Sequence, residues 1–179
     1  MGEDAALEAA RHSGVPDQLA RLNVFRLLLR RSAPAKALSD LLLSLLTGEA
    51  LEHRLRELVI MRIAWVTQSS YEWAQHWGIA TRFGVTEGVL VGVRNWKEFA
   101  GFGEAERAVL AATDECLETG EVGAVQLEAV RTQLGEDATL ELLIALGTWT
   151  MLSTVLRSAA VPLDEDLPLW PPDGRRPHV

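Results

Sequence analysis

RELVIMRIAWVTQSSYEWAQHWGIATRFG, residues Arg56 to Gly84, is the stretch from which the architecture can be read. Its first half, LVIMRIAWV from Leu58 to Val66, is apolar on nearly every side, as expected of a helix surrounded by protein. Gln68, Ser69 and Ser70 interrupt it, and apolar residues then recur at helical spacing until Gly84, a residue able to take the left-handed conformation that closes a helix. The spacing predicts one helix over about Leu51 to Gln68 and a second from Ser69 to Gly84. On the second, Glu72 and His76 are four residues apart, so they lie on one face within reach of a carboxylate to imidazole hydrogen bond. They share that stripe with Ile79, Ala80 and Phe83, which predicts at least partial burial.

Outward from this stretch the three-and-four periodicity continues and strand signals are scarce, so the fold class is all-α. Helices are expected over Pro16 to Arg31, Ala35 to Thr47, a short span from Thr86, then Glu104 to Thr119, Val122 to Leu134 and Glu136 to Ala160. Arg94 to Gly103 reads as a connector. A single domain is expected over residues 1–161, followed by a tail at 162–179. That tail holds five of the seven prolines and is expected to lie extended over the surface or a neighbouring subunit. A faint echo links Glu57-Leu58-Val59-Ile60 with Trp65 to Glu141-Leu142-Leu143-Ile144 with Trp149, hinting at a duplicated helical unit. Leu156 and Ala160 stand where a second copy of Glu72 and His76 would fall, so only the first unit carries the acid and the imidazole.

Composition narrows the function classes. Of the 179 residues 48% are hydrophobic, enough for a sizeable core, and the net charge of −8 comes without a basic block, which argues against nucleic-acid and anionic-membrane partners. The lone Cys116 can form no internal disulfide, thiolate metal cluster or CxxC redox couple. The acidic start lacks the basic end and apolar run of a signal peptide, and the expected location is the cytoplasm. Glycine-rich phosphate loop, nucleophile elbow and HExxH patterns are absent. His12, His53 and His178 have no second ligand at metal spacing, so no metal is expected.

The residues able to do chemistry each have a plainer reading. Ser69 and Glu72 fit a capping box, in which the serine accepts from the helix start and the glutamate reaches back. His76 with a carboxylate one turn away is a stronger candidate than a lone core histidine. Glu57 sits among Ile60, Met61 and Ala64 and needs a partner, because an unpaired buried carboxylate costs several kcal/mol. Arg54, Arg56 and Arg62 are its local candidates; His76 can serve only if the two helices pack antiparallel. Tyr71 is a possible hydrogen-bond donor to a substrate, whereas Trp65, Trp73 and Trp77 are residues that more often pack.

The pattern RELVI, then YEWAQH, then a helix ending in FGV, resembles the carboxymuconolactone decarboxylase and alkylhydroperoxidase D-like family. The match is strongest over Leu51 to Val93, with a looser continuation through AERAVLAATDECL and LELLIALGTWTMLSTVLRSAAVPL. The resemblance implies an all-helical bundle and a homo-oligomer, commonly a trimer or hexamer. In the family's peroxidase branch a glutamate precedes a CxxCxxxH motif. By position that glutamate falls on Glu57, the cysteines on Ser69 and Glu72, and the histidine on His76. Both sulfurs are missing, and peroxide reduction through a disulfide requires them.

The decarboxylase side of the family, whose members need no cofactor and act on a lactone acid, is the closer likeness. The implied activity is acid–base catalysis on a small carboxylated or lactone substrate, with His76 moving the proton, Glu72 orienting or charging it and Glu57 as a second carboxylate. Ser69, Tyr71 and Trp73 are the candidate substrate-binding residues. A non-catalytic subunit that binds a small molecule in a pocket lined by Trp65, Tyr71, Trp73 and the acidic pair is the reading from another class.

Overall fold

A computed structural model describes residues 1–177; His178 and Val179, the end of the expected tail, lie outside the described residues. Every regular element in the described chain is helical, in keeping with the all-α expectation. The helices are α1 (Glu3–Ser13), α2 (Asp17–Ala20), α3 (Asn23–Leu28), α4 (Ser32–Thr47), α5 (His53–Val66), α6 (Ser70–Arg82), α7 (Glu87–Gly92), α8 (Glu104–Thr119), α9 (Ala124–Leu134) and α10 (Glu136–Ser158). A 3₁₀ turn at Val93–Asn95 follows α7. The described chain divides into two compact units, residues 1–48 with 159–166, and residues 49–158 with 167–177.

In the first unit α1 packs on α2, α3 and α4, with Ala6 and Ala10 fully buried. The helix expected from Pro16 to Arg31 is instead two short ones, broken where Leu22 is extended (φ −74°, ψ 137°). The cause is distant in sequence. Asp164 Oδ1 accepts the Asn23 backbone N–H at 2.7 Å, and the Asn23 amide donates to the Leu163 carbonyl at 3.0 Å, so residues 162–164 cap a helix start that local periodicity does not mark.

The second unit is built around α5, which packs against α6, α8 and α10. Leu58, Val59, Ile60 and Met61 are four consecutive residues with no exposed surface, as the unbroken apolar run predicts. Two of its arginines reach sideways to α8: Arg54 pairs with Glu106 and Arg62 with Asp114, both at 2.6 Å. Gln68 then takes a positive φ of 60° and turns the chain into α6. Gly84 (φ +82°) closes α6 as expected. α10 is long and apolar enough to span a bilayer by length and composition, but half of its apolar window is buried inside the protein, as for a core helix.

The proline-rich segment is not a passive cover. Trp170 is buried at 4% exposure and packs against Trp65 and Trp73, with ring centroids 5.9 and 6.0 Å away. The Pro171 carbonyl accepts the Trp73 indole N–H at 2.8 Å and the Arg94 guanidinium at 3.1 Å. Arg94 lies over Trp65, its central carbon 4.8 Å from the ring centroid, a cation–π arrangement partly shielded from water.

Candidate functional site

Glu57 on α5 has no exposed surface, and α6 folds back against α5 so that His76 meets it: Nδ1 of His76 lies 2.8 Å from Oε2 of Glu57. The other ring nitrogen, Nε2, lies 3.3 Å from the indole Nε1 of Trp149 on α10. An indole nitrogen can only donate, so Nε2 must be the accepting nitrogen and the ring proton sits on Nδ1, donating to Glu57. Two contacts thus fix one tautomer of a neutral imidazole. The side chain of His76 is 11% exposed, which makes it the most accessible member of the pair.

Glu72, one turn before His76, does not take the imidazole hydrogen bond that its spacing allows. Its Oε2 accepts a short hydrogen bond from the Ser153 hydroxyl of α10. The residue is 3% exposed, and burial raises its pKa from the ordinary 4.5 to about 7, against the opposing pull of the Ser153 hydroxyl, the neighbouring His76 and the Ser69 hydroxyl. The carboxyl therefore keeps its proton to a much higher pH than an ordinary glutamate. The second oxygens of both acids, Glu57 Oε1 and Glu72 Oε1, are buried and accept no hydrogen bond from the described residues. Such oxygens are costly unless a donor completes them, and a bound ligand could.

The capping box is not formed: Ser69 precedes α6 in an extended conformation without a side-chain cap bond, and it is buried beside the Glu72 carboxyl instead. Of the arginines considered for Glu57, Arg54 and Arg62 are committed to α8. Arg56 is buried against His53, where desolvation lowers its pKa against the charges of Glu57 and Glu141. Tyr71 is 5% exposed, with the Gln75 amide 3.5 Å from its hydroxyl. Trp73 belongs to the cluster with Trp65, Trp77 and Trp170, and its N–H is spent on Pro171. Glu57, Glu72, His76 and Ser69 are thus brought together, and Trp73 is engaged elsewhere.

Trp149 and Ser153 are members of the site that sequence reasoning did not single out. The signal was present in the internal echo, because the offset that places Trp149 opposite Trp65 also places Ser153 opposite Ser69. The second half of the echo repeats Glu57 as Glu141 but has Leu156 and Ala160 at the places of Glu72 and His76, and its Trp149 and Ser153 contact His76 and Glu72. Cys116, on α8, is partly buried, and burial raises its thiol pKa, which disfavours the reactive thiolate.

The family model described as the carboxymuconolactone decarboxylase family matches residues 33–115. The fold is shared with an uncharacterized peroxidase-related protein with an alkylhydroperoxidase AhpD core from Ralstonia eutropha JMP134, at 18% identity and a TM-score of 0.72, covering 91% of this chain and 85% of the other. An uncharacterized peroxidase-related protein from Silicibacter sp. TM1040 gives 15% identity and a TM-score of 0.72, covering 92% and 85%. The debrominase Bmp8, in complex with 2,3,4-tribromopyrrole, gives 15% identity and a TM-score of 0.71, covering 90% and 84%. No curated protein matches the chain in sequence.

Proposed function

We propose, for a chain that belongs over residues 33–115 to the carboxymuconolactone decarboxylase family, a cofactor-free enzyme that transfers a proton to or from a small carboxylated or lactone substrate. The observation that carries this reading is the buried centre in which a neutral imidazole is fixed by Glu57 and Trp149 beside a carboxyl titrating near 7. Loss of carbon dioxide breaks a carbon–carbon bond and leaves the electron pair on carbon, which must then be protonated. Glu72, its pKa raised to about 7, is matched to give that proton, and His76, hydrogen-bonded to Glu57, relays the replacement. In its observed tautomer His76 can accept a proton at Nε2 only when the Trp149 indole gives way, so Trp149 is assigned the part of a gate on that nitrogen.

Sulfur chemistry has less support. Serine and glutamate occupy the positions of the two cysteines, and the remaining thiol sits on another helix with its pKa raised. The test is carbon dioxide release from a panel of lactone acids by wild type, Glu72→Gln, His76→Ala and Cys116→Ser. On a turned-over substrate, Glu72→Gln and His76→Ala are expected to lose about 10²–10⁴-fold in rate, with Cys116→Ser unchanged. Thiol-dependent hydroperoxide reduction that disappears in Cys116→Ser would replace this reading with a peroxidase.

A homo-oligomer, trimer or hexamer, is part of the proposal. Leu140, Leu143, Ile144 and Met151 of α10 are 37–60% exposed along one side of that helix, an apolar stripe suited to a second copy. Sedimentation at micromolar concentration is expected to show a species heavier than the 19.7 kDa chain, and a strict monomer would count against it.

A further inference from the structure

A cavity of about 920 Å³ lies in the second unit, lined by residues of α5, α7, the following turn and the segment at 175–177, and not by Glu57, Glu72 or His76. Its size is in the range of small-molecule sites, roughly 300–1,000 Å³. Two half-open aromatic rings, Trp65 and Phe99, stand with Val91 and Pro177 in the apolar part of the wall. The Phe99 position depends on two glycines: a Cβ at Gly92 or Gly101 would come within 2.7 or 2.6 Å of its ring. The polar part carries three guanidinium groups, Arg94, Arg175 and Arg176, against one carboxylate, Glu98. This positive excess is notable in a chain of net charge −8.

The three arginines are not equivalent. Arg94, with its side chain 9% exposed, is fixed by Asp173 at 2.9 Å and by the Pro171 carbonyl, and it supplies a rigid positive floor. Arg175 is 81% exposed and holds Asp173 only at 3.6 Å. Arg176 makes no ion pair among the described residues. Two exposed guanidiniums lining the same cavity as two aromatic rings match a ligand with a planar apolar body and a terminal oxyanion, since a guanidinium fork binds a carboxylate through two parallel hydrogen bonds.

We propose that this cavity is a binding site, separate from the Glu57 and His76 centre, for a small aromatic or conjugated carboxylate whose ring packs on Trp65 and Phe99 and whose carboxylate is held by Arg175 and Arg176. The proposal does not rest on the reaction assigned to the buried centre. Calorimetric titration of the full chain at low salt with naphthoate is expected to give saturable binding. The expected loss is about tenfold or more for the uncharged naphthalenemethanol and for the Arg175→Ala/Arg176→Ala variant, whose exposed side chains can be removed without opening the core. Inorganic phosphate, which has charge but no ring, is expected to bind more weakly than naphthoate. Absence of saturable naphthoate binding at millimolar concentration, equal binding of the uncharged alcohol, phosphate binding as tight as naphthoate, or full affinity in the double variant would each overturn the assignment.

Discussion

His76→Ala is expected to lose about 3–5 kcal/mol of folding stability in urea titration, because it strips the hydrogen-bond partner seen among the described residues from Oε2 of a glutamate with no exposed surface. The cost comes less from the imidazole's own contacts than from the carboxylate left behind, whose other oxygen already lacks a donor. Removing the charge as well separates the two contributions. Glu57→Gln combined with His76→Ala is expected to recover a substantial part of the loss, whereas a double variant as unstable as His76→Ala alone would show that cavity formation, not the orphaned charge, dominates.

Glu72→Gln is expected to change the pH dependence of stability, with the variant gaining on the wild type as pH rises. The folded carboxyl titrates near 7 and the unfolded one near its ordinary 4.5, so between these values the folded state binds more protons. Wild-type stability therefore falls as pH rises from about 4.5, and the full penalty is present above about 7. A shift of this size corresponds to about 3 kcal/mol, and the group is buried enough for solvent screening not to dilute it. The variant amide still accepts from Ser153 and carries no charge to desolvate. Urea midpoints at pH 5 and pH 8 check this: parallel shifts of both proteins would mean that Glu72 titrates like an ordinary surface acid.

Much of the site was legible because its residues lie in two helices joined by a short turn. The apolar run of α5 marked a core helix, and an acid within it required a partner. The i,i+4 spacing put Glu72 and His76 on one face of α6. Spacing alone could not decide which carboxylate the imidazole takes, since Glu57 and Glu72 are both within reach in principle and only the packing of α5 on α6 settles it for Glu57. Ser69 illustrates the same limit. A serine before a helix with a glutamate three residues later is the signature of a capping box, yet the Ser153 hydroxyl from α10 draws Glu72 inward and the box does not form.

What the sequence determined by itself is local: the helical class, the buried character of α5, the Gly84 helix end, the missing pair of sulfurs and the candidate status of Glu57, Glu72 and His76. The tertiary structure alone decided the choices that depend on residues distant in sequence. These are the break in the Pro16 to Arg31 helix, capped by Asp164, the insertion of Trp170 among Trp65 and Trp73, and the placing of Trp149 and Ser153 against His76 and Glu72. The physical reason is common to all three. Periodicity and spacing report which side of one helix seeks burial, but a hydrogen-bond donor's partner and a buried acid's pKa are set by whichever groups the packed helices bring within about 3 Å.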